Sequence, residues 1–209
     1  MKKIILPTSI ALLLVTGIVC ADTKIPEQIK AEKVYQLKID KVKQEMKKAS
    51  DDLSQNYEKY GVFHPKMAED YEMISEGYFT MGEFDHAIEY ALRALKVEMK
   101  LLKEDDPKLA KLYFDTGNKY YMHKEHPTAI LYMTKAAEIY KNSPEKESLA
   151  LADTYEGIAS TFINLEDYEK SLMYAEKCLA IRSKKLQKED ETLQRAQMNV
   201  DYLKGKLKK

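Results

Sequence analysis

The residues with chemical potential in this 209-residue chain are four histidines, several close acid pairs and a stripe of glutamates. His123 and His126 are three residues apart, with Glu125 between them. That spacing holds zinc only where further ligands stand close, and no cysteine is near in sequence. His64 and His86 are scattered. Asp51-Asp52 and Asp105-Asp106 read as helix-surface and linker charges. There is no glycine-rich phosphate loop, and no serine or cysteine stands in a recognisable nucleophile setting. No catalytic residue, metal ligand or cofactor site is assigned, and an enzyme reading is set aside. What remains is the chemistry of recognition. Glu69, Glu72 and Glu76 recur about one helical turn apart, forming an acidic stripe.

The elements that must position these groups are helices. Glycine and proline are scarce, with 7 and 6 residues, and strong helix formers dominate. No alternating β-branched run argues for a strand. Ala87, Ala129 and Ser171 are spaced by 42 residues, and Tyr71, Tyr113 and Tyr155 lie 16 residues before them. Met67, Leu109 and Leu151 precede those tyrosines by four, and Ala94, Ala136 and Cys178 follow the anchors by seven. Fixed small residues at a constant period mark a helical repeat array, and such arrays mostly bind other proteins.

Three helical hairpins follow from this register, their helices spanning about 66–81 and 84–103, 108–123 and 127–141, and 147–164 and 167–187. Asp167 is read as a helix cap. Apolar residues at helical spacing over 26–60 predict one long helix, or two with a break near Ala49-Ser50-Asp51. A last helix runs from Glu191 to about Lys206. Small anchors let helix B of each hairpin approach helix A, and let the next helix A approach helix B, because interiors tolerate little added volume.

The amino-terminal end reads as an export signal. Lys2 and Lys3 precede an apolar run, Ile4–Val19, that closes in Val19-Cys20-Ala21, which predicts cleavage after Ala21. The alternatives are an uncleaved anchor and a lipoprotein attached through Cys20, although Val19 departs from the small residue expected before a lipidated cysteine. Cys178 then stands alone and reads as a buried small apolar residue. The formal net charge of zero gives no broad footprint for nucleic acid. Lys204, Lys206, Lys208 and Lys209 make a locally basic tail. The expected domains are a signal peptide (1–21), an N-terminal helical cap (22–61), three repeats (62–190, divided about 62–105, 106–146 and 147–190) and a C-terminal capping helix with basic tail (191–209).

Together these residues resemble the tetratricopeptide repeat (TPR), with a 42-residue period like that of kinesin light chains. Tyr71, Ile74, Tyr78, Gly82, Phe84, Ala87 and Ala94 follow the motif in the first repeat. Tyr113, Gly117, Tyr120, Ala129 and Ala136 follow it in the second, and Tyr155, Ile158, Ala159, Phe162, Tyr168, Ser171 and Cys178 in the third. His64-Pro65 and Asp106-Pro107 resemble the linkers of that subfamily. The second repeat departs at Lys124, where glycine often turns, and at His126, where an aromatic residue usually packs; looser packing is expected there.

The resemblance implies an all-α, right-handed superhelical array with capping helices and a concave groove lined by the A helices. In that register the groove residues are Glu69, Glu72, Met73, Glu76 and Phe79; Lys111, Phe114, Asp115, Asn118 and Tyr121; and Asp153, Glu156, Ser160, Ile163 and Asn164. Arg195, Met198, Asn199 and Tyr202 are placed at its far end. The subfamily's peptide-gripping asparagines are replaced by Met73 and Gly157 in two repeats. The resulting expectation is an exported, periplasmic or envelope-attached adaptor that binds a protein partner, with no small-molecule substrate or cofactor. The alternative is a structural, self-assembling subunit that uses its ends and first helix as interfaces.

Overall fold

A computed structural model describes residues 24–143 and 148–208, with side chains from residue 32 onward. The signal reading at 1–21 and Pro144 lie outside the described residues. Eight helices are present among the described residues and no strand: α1 (Lys24–Tyr60), α2 (Pro65–Thr80), α3 (Phe84–Leu101), α4 (Pro107–Met122), α5 (His126–Asn142), α6 (Leu149–Asn164), α7 (Tyr168–Lys185) and α8 (Glu191–Leu207). The chain divides into two units between Asp40 and Lys41, within α1. In the first unit α1 presents exposed Val34, Tyr35 and Leu37. The second unit holds the rest of α1 and the array. The alternative of a break near Ala49 is not realised, since α1 runs on through Ala49-Ser50-Asp51.

Local sequence sets where the helices start. His64, Asp106, Ser148 and Asp190 stand at intervals of 42 residues, and each is an N-cap. His64 Nδ1 accepts from Lys66 N at 3.2 Å, Asp106 Oδ1 from Lys108 N at 2.8 Å, Ser148 Oγ from Leu151 N at 3.2 Å and Asp190 Oδ1 from Thr192 N at 2.8 Å. Each cap satisfies a backbone donor that has no partner within its helix. Pro65 and Pro107 occupy the first helical position, where a missing N–H costs nothing.

The hairpin turns are also copies of one another. Glu83 N donates to Tyr78 O, Glu125 N to Tyr120 O and Asp167 N to Phe162 O, at 2.9, 2.9 and 3.0 Å. The residue before each donor is left-handed: Gly82 at φ 76°, Lys124 at φ 67° and Glu166 at φ 57°. The second repeat is therefore not looser at its turn. Lys124 adopts the conformation that glycine adopts in the first repeat. The His126 ring packs on Tyr121 at 5.7 Å between centroids, just as Phe84 packs on Phe79 at 5.7 Å.

Within each hairpin the backbones meet at one seam. Ala87, Ala129 and Ser171 are fully buried. Ser75 Oγ donates to Ala87 O at 2.7 Å, and Ser171 Oγ donates to Ala159 O at 2.9 Å. A Cβ added at Gly117, the equivalent of Ser75, would stand 3.2 Å from Ala129 O. Beside the seam, Tyr78 stacks on Tyr90, Tyr71 tilts against the same ring, and Arg93 lies 5.1 Å over Tyr90. Tyr113, Tyr120, Tyr132 and Lys135 repeat this group, as do Tyr155, Phe162, Tyr174 and Lys177. Stacked rings under a cation hold the two helices together more specifically than burial alone.

The array opens and closes on single helices rather than hairpins. α8 continues the A-helix register: Ala196, Val200 and Leu203 are buried, 42 residues after Thr154, Ile158 and Thr161. At the other end the second half of α1 acts as a helix B. Ala49 is 1% exposed and Met46 packs against Gly77 three residues earlier, much as Met133 precedes Ala136 and packs against Gly157.

Candidate protein-interaction groove

Helices α2, α4, α6 and α8 stand side by side, and the spaces between neighbours are lined by the residues that the register assigns to the groove. Between α2 and α4 a cavity of about 440 Å³ gathers Glu72, Met73, Glu76, Lys111 and Asp115. Between α4 and α6 one of about 310 Å³ gathers Phe114, Asn118, Tyr121, Asp153, Glu156 and Ser160. Glu156, Ser160 and Ile163 face α8 across a small gap with Asn199. Glu69 is exposed on the first turn-face of α2, and Asn164 is exposed at the end of α6. Met198 and Tyr202, at 70% and 53% exposure, extend the same face on α8.

Several of these side chains are committed to the scaffold. Phe79 packs on Phe84 and lies 5.1 Å under the Lys119 ammonium. Ile163 packs against the cluster of Ala159, Ala175, Val200 and Leu203. Lys111 Nζ donates to Asp115 Oδ2 at 2.6 Å. Asp153 and Glu156 both accept from Arg182, at 2.7 and 2.6 Å, and Glu156 also accepts from Arg195 Nε at 3.1 Å. Arg182 is 2% exposed. Burial alone would lower its pKa, but its hydrogen bonds to Glu156 and Asp153 outweigh that and fix it as a cation.

The acidic stripe differs from these paired groups. Glu76 meets Lys119 at 3.4 Å, yet Glu72 Oε1 is a buried atom with no hydrogen-bond partner. Burial raises the Glu72 pKa; Lys108 and Lys111 nearby act against that rise but do not cancel it. An acceptor buried without a donor carries a free-energy cost that a suitable ligand would relieve.

Sequence reasoning missed the residues that reach this face from the B helices. Glu98, Tyr140 and Arg182 occupy one repeat position and are all buried. Glu98 accepts from Lys108 Nζ at 2.5 Å and Arg182 binds Asp153 and Glu156. The signal was the 42-residue interval itself, extended to positions that are not small. Elsewhere, His123 pairs with Asp85 at 3.1 Å and with Glu125 at 3.2 Å. Among the described residues no group of three or more His, Cys, Asp or Glu side chains is placed to hold a metal.

This geometry agrees with the comparisons. Models of the tetratricopeptide repeat match residues 71–142 and 152–185, and the chain belongs to that family. Among solved structures, the chain is similar to the nearly identical TPR-like repeats of a Podosopora anserina protein assigned as a kinesin light chain. The identity there is 12%, the TM-score 0.69, and 87% of each chain is covered. It is also similar to BtubC (BKLC) from P. vanneervenii, at 16% identity and TM-score 0.61, covering 81% of this chain and 82% of that one. The apo form of RapI matches at 18% identity and TM-score 0.58, covering 78% of this chain and 64% of that one. At these identities the likeness establishes the fold. No curated protein matches the sequence. The fold is an all-α TPR array, and the family is one of protein-interaction scaffolds.

Proposed function

We propose that the protein is an exported adaptor that holds a segment of another protein along the face formed by α2, α4, α6 and α8. The observation that carries this reading is the row of cavities between adjacent A helices, lined by Phe114, Asn118, Tyr121 and the Glu72 stripe. Buried aromatic anchors supply most of the energy at such faces, and charge sets register and on-rate. The basic, apolar and small-residue pattern of residues 1–21 supports export, with retention through a lipidated Cys20 as the alternative route. Self-assembly through α8 is less favoured by the surface. The α8 positions equivalent to the seam tyrosines and small residues are Gln197, Asp201 and Lys204, so the face that would receive another helix is polar.

Crosslinking in cells followed by affinity purification tests the reading, with Phe114→Ala/Asn118→Ala as the groove variant and circular dichroism to verify its folding. Loss of the crosslinked partner in the variant is expected. Undiminished capture would move the interface off the groove, and recovery of the protein crosslinked only to itself would favour the structural role. Mass analysis of the purified amino terminus is expected to begin at Asp22; a start at a modified Cys20 would mark the lipoprotein route, and an intact Met1 in protein found only in the cytoplasmic fraction would sink the export reading.

A further inference from the structure

The A and B helices repeat their side-chain roles every 42 residues, so a residue smaller than its equivalents exposes a gap in the pattern. Ala91 is smaller than one of its two equivalents. One repeat later its place is taken by Met133, and two repeats later by Ala175. Met133 packs into the junction between the second and third repeats and lines the cavity of about 310 Å³ that remains there. A Cβ at Gly117 would lie 2.7 Å from Met133 Cγ, and one at Gly157 would lie 3.1 Å from Met133 Sδ. Thr161 Oγ1 lies 3.9 Å from the same sulfur. At the last junction, Leu203 stands against Ala175 and a space of only about 20 Å³ remains. At the first junction Ala91 stands where the second has Met133, and the cavity is larger, about 440 Å³ against about 310 Å³.

Its walls define what would enter. Ala91, Leu112, Val42 and Met73 supply apolar surface. Four carboxylates, Glu45, Glu72, Glu76 and Asp115, face two lysines, Lys111 and Lys119. Both lysines are already engaged, Lys111 by Asp115 and Lys119 by Glu76. Glu45 is drawn to Lys41 at 3.6 Å, and Glu72 Oε1 is left buried without a donor. A long side chain with an apolar stem and a cationic head matches this combination, because such residues bury their methylenes while the head seeks an acceptor. The volume lies within the range of ligand-binding clefts.

We propose that this cavity receives a lysine or arginine side chain of the bound partner segment, its stem against Ala91 and Leu112 and its head on Glu72. The proposal rests on the groove reading above, because Glu72, Glu76, Lys111 and Asp115 line both the cavity and that face. It identifies the partner's chemistry: a segment with one basic residue that enters the first junction, next to apolar residues lying toward Phe114 and Tyr121.

The test is selection of a randomised, phage-displayed peptide library on the full chain, run in parallel on Ala91→Met and Glu72→Gln. Ala91→Met adds volume to the first junction; Ser75 and Asp115 stand there where Gly117 and Gly157 make room for Met133, so circular dichroism verifies its folding and Ala91→Val carries the same comparison if it does not fold. The wild-type chain is expected to enrich peptides with one Lys or Arg at a fixed distance from apolar residues, and Ala91→Met is expected to lose them. A resynthesised peptide should bind Glu72→Gln at least about tenfold more weakly, the scale expected when a desolvated charge pair loses one partner. Replacing its basic residue with norleucine should have a similar effect. Enrichment without a basic residue, equal enrichment on Ala91→Met, or no enrichment on the wild type would overturn the proposal. Peptides that depend on Phe114 but not on Ala91 would leave the groove reading standing and remove only this one.

Discussion

Met46 of α1 lies against Gly77 of α2 so closely that a Cβ on Gly77 would collide with its Cγ and Sδ. The equivalents of Gly77 in later repeats are Lys119 and Thr161, so the glycine is not demanded by the repeat motif. It is demanded by the helix packed over it. Only side-chain atoms of the half-buried Met46 stand there, so Gly77→Ala is expected to turn that side chain aside and destabilise the second unit by about 1 kcal/mol at most, since alanine is the better helix former. Urea unfolding measures this. Met46→Ala in the same background should restore part of the loss. A Gly77→Leu variant as stable as wild type would show that α1 does not pack on α2 as described.

The three hairpin turns offer a second test, in which backbone strain is separated from packing. Lys124 and Glu166 are left-handed at φ 67° and φ 57°, and neither is glycine. The equivalent Gly82 has nothing within 4 Å of where its Cβ would be. A side chain there would thus cost only conformational energy, about 1–2 kcal/mol for an L-residue. Gly82→Ala should lose about that much, while Lys124→Gly and Glu166→Gly should each gain about 0.5–1 kcal/mol, since the unfolded chain is also freed by glycine. Thermal unfolding of the three variants reads the signs directly. Loss of stability in both glycine variants would contradict the common turn.

The hairpins were legible because small residues and tyrosines recur at positions where only close packing explains them. The two ends were harder to read. Asp190 follows Ser148 by 42 residues, as Ser148 follows Asp106, so the role of α8 as a further helix A was present in the sequence. It was masked because Gln197, Asp201 and Lys204 stand where the seam residues would be. For α1 the signal was weaker still. Its buried small residue, Ala49, precedes Ala94 by 45 residues, because α1 runs about one turn further past its small residue than α3 does, while the linker to the next cap is one residue shorter. The left-handed Lys124 was read as a departure because sequence patterns record residue types, whereas the turn is held by the Glu125 N to Tyr120 O bond. As for the groove, the register placed its residues but could not show which were engaged. Phe79 is consumed by Phe84 and Lys119, while Glu72 is left without a donor.

Cys178 provides a chemical probe of the last junction. It is 2% exposed, and burial pushes its pKa up to about 11. A thiol that is both buried and protonated at neutral pH is a poor nucleophile. Reaction with a disulfide reagent at pH 8 is expected to be slow in the folded chain and immediate in denaturant. Rapid labelling of the folded chain would mean that α8 opens readily from the array.

Arg182 is the fixture that would prevent such opening. It reaches Asp153 and Glu156 on α6 and donates to Thr192 O on α8 at 3.2 Å. Three helices therefore meet at one guanidinium. Removing one side of a buried ion pair costs about 3–5 kcal/mol, and the partial exposure of Asp153 places Arg182→Ala at the lower end of that range. The loss should concentrate at the end of the array. Hydrogen exchange is expected to quicken across α8 more than across α4, and Cys178 labelling should accelerate with it. Arg182→Lys should rescue little, because an ammonium lacks the planar fork needed to span both carboxylates.

Glu72 should leave a signature in the pH dependence of stability. Its folded pKa is raised above the ordinary 4.5, chiefly by burial. The unfolded chain therefore ionises this carboxyl more easily than the folded one. Its contribution favours the folded state below pH 4.5 and is lost as pH rises through the higher folded value. Glu72→Gln, which cannot ionise, should accordingly be more stable than wild type at neutral pH, with the advantage vanishing at pH 4 and below. Denaturant midpoints for the two chains across pH 3.5 to 8 make the comparison. An advantage that persists unchanged at low pH would mean that the gain comes from packing rather than charge. A variant less stable than wild type at pH 7 would show that Glu72 already has a partner in the free protein. A basic peptide bound at the first junction should shrink the difference, because its cation supplies the donor that the Glu72 carboxylate lacks.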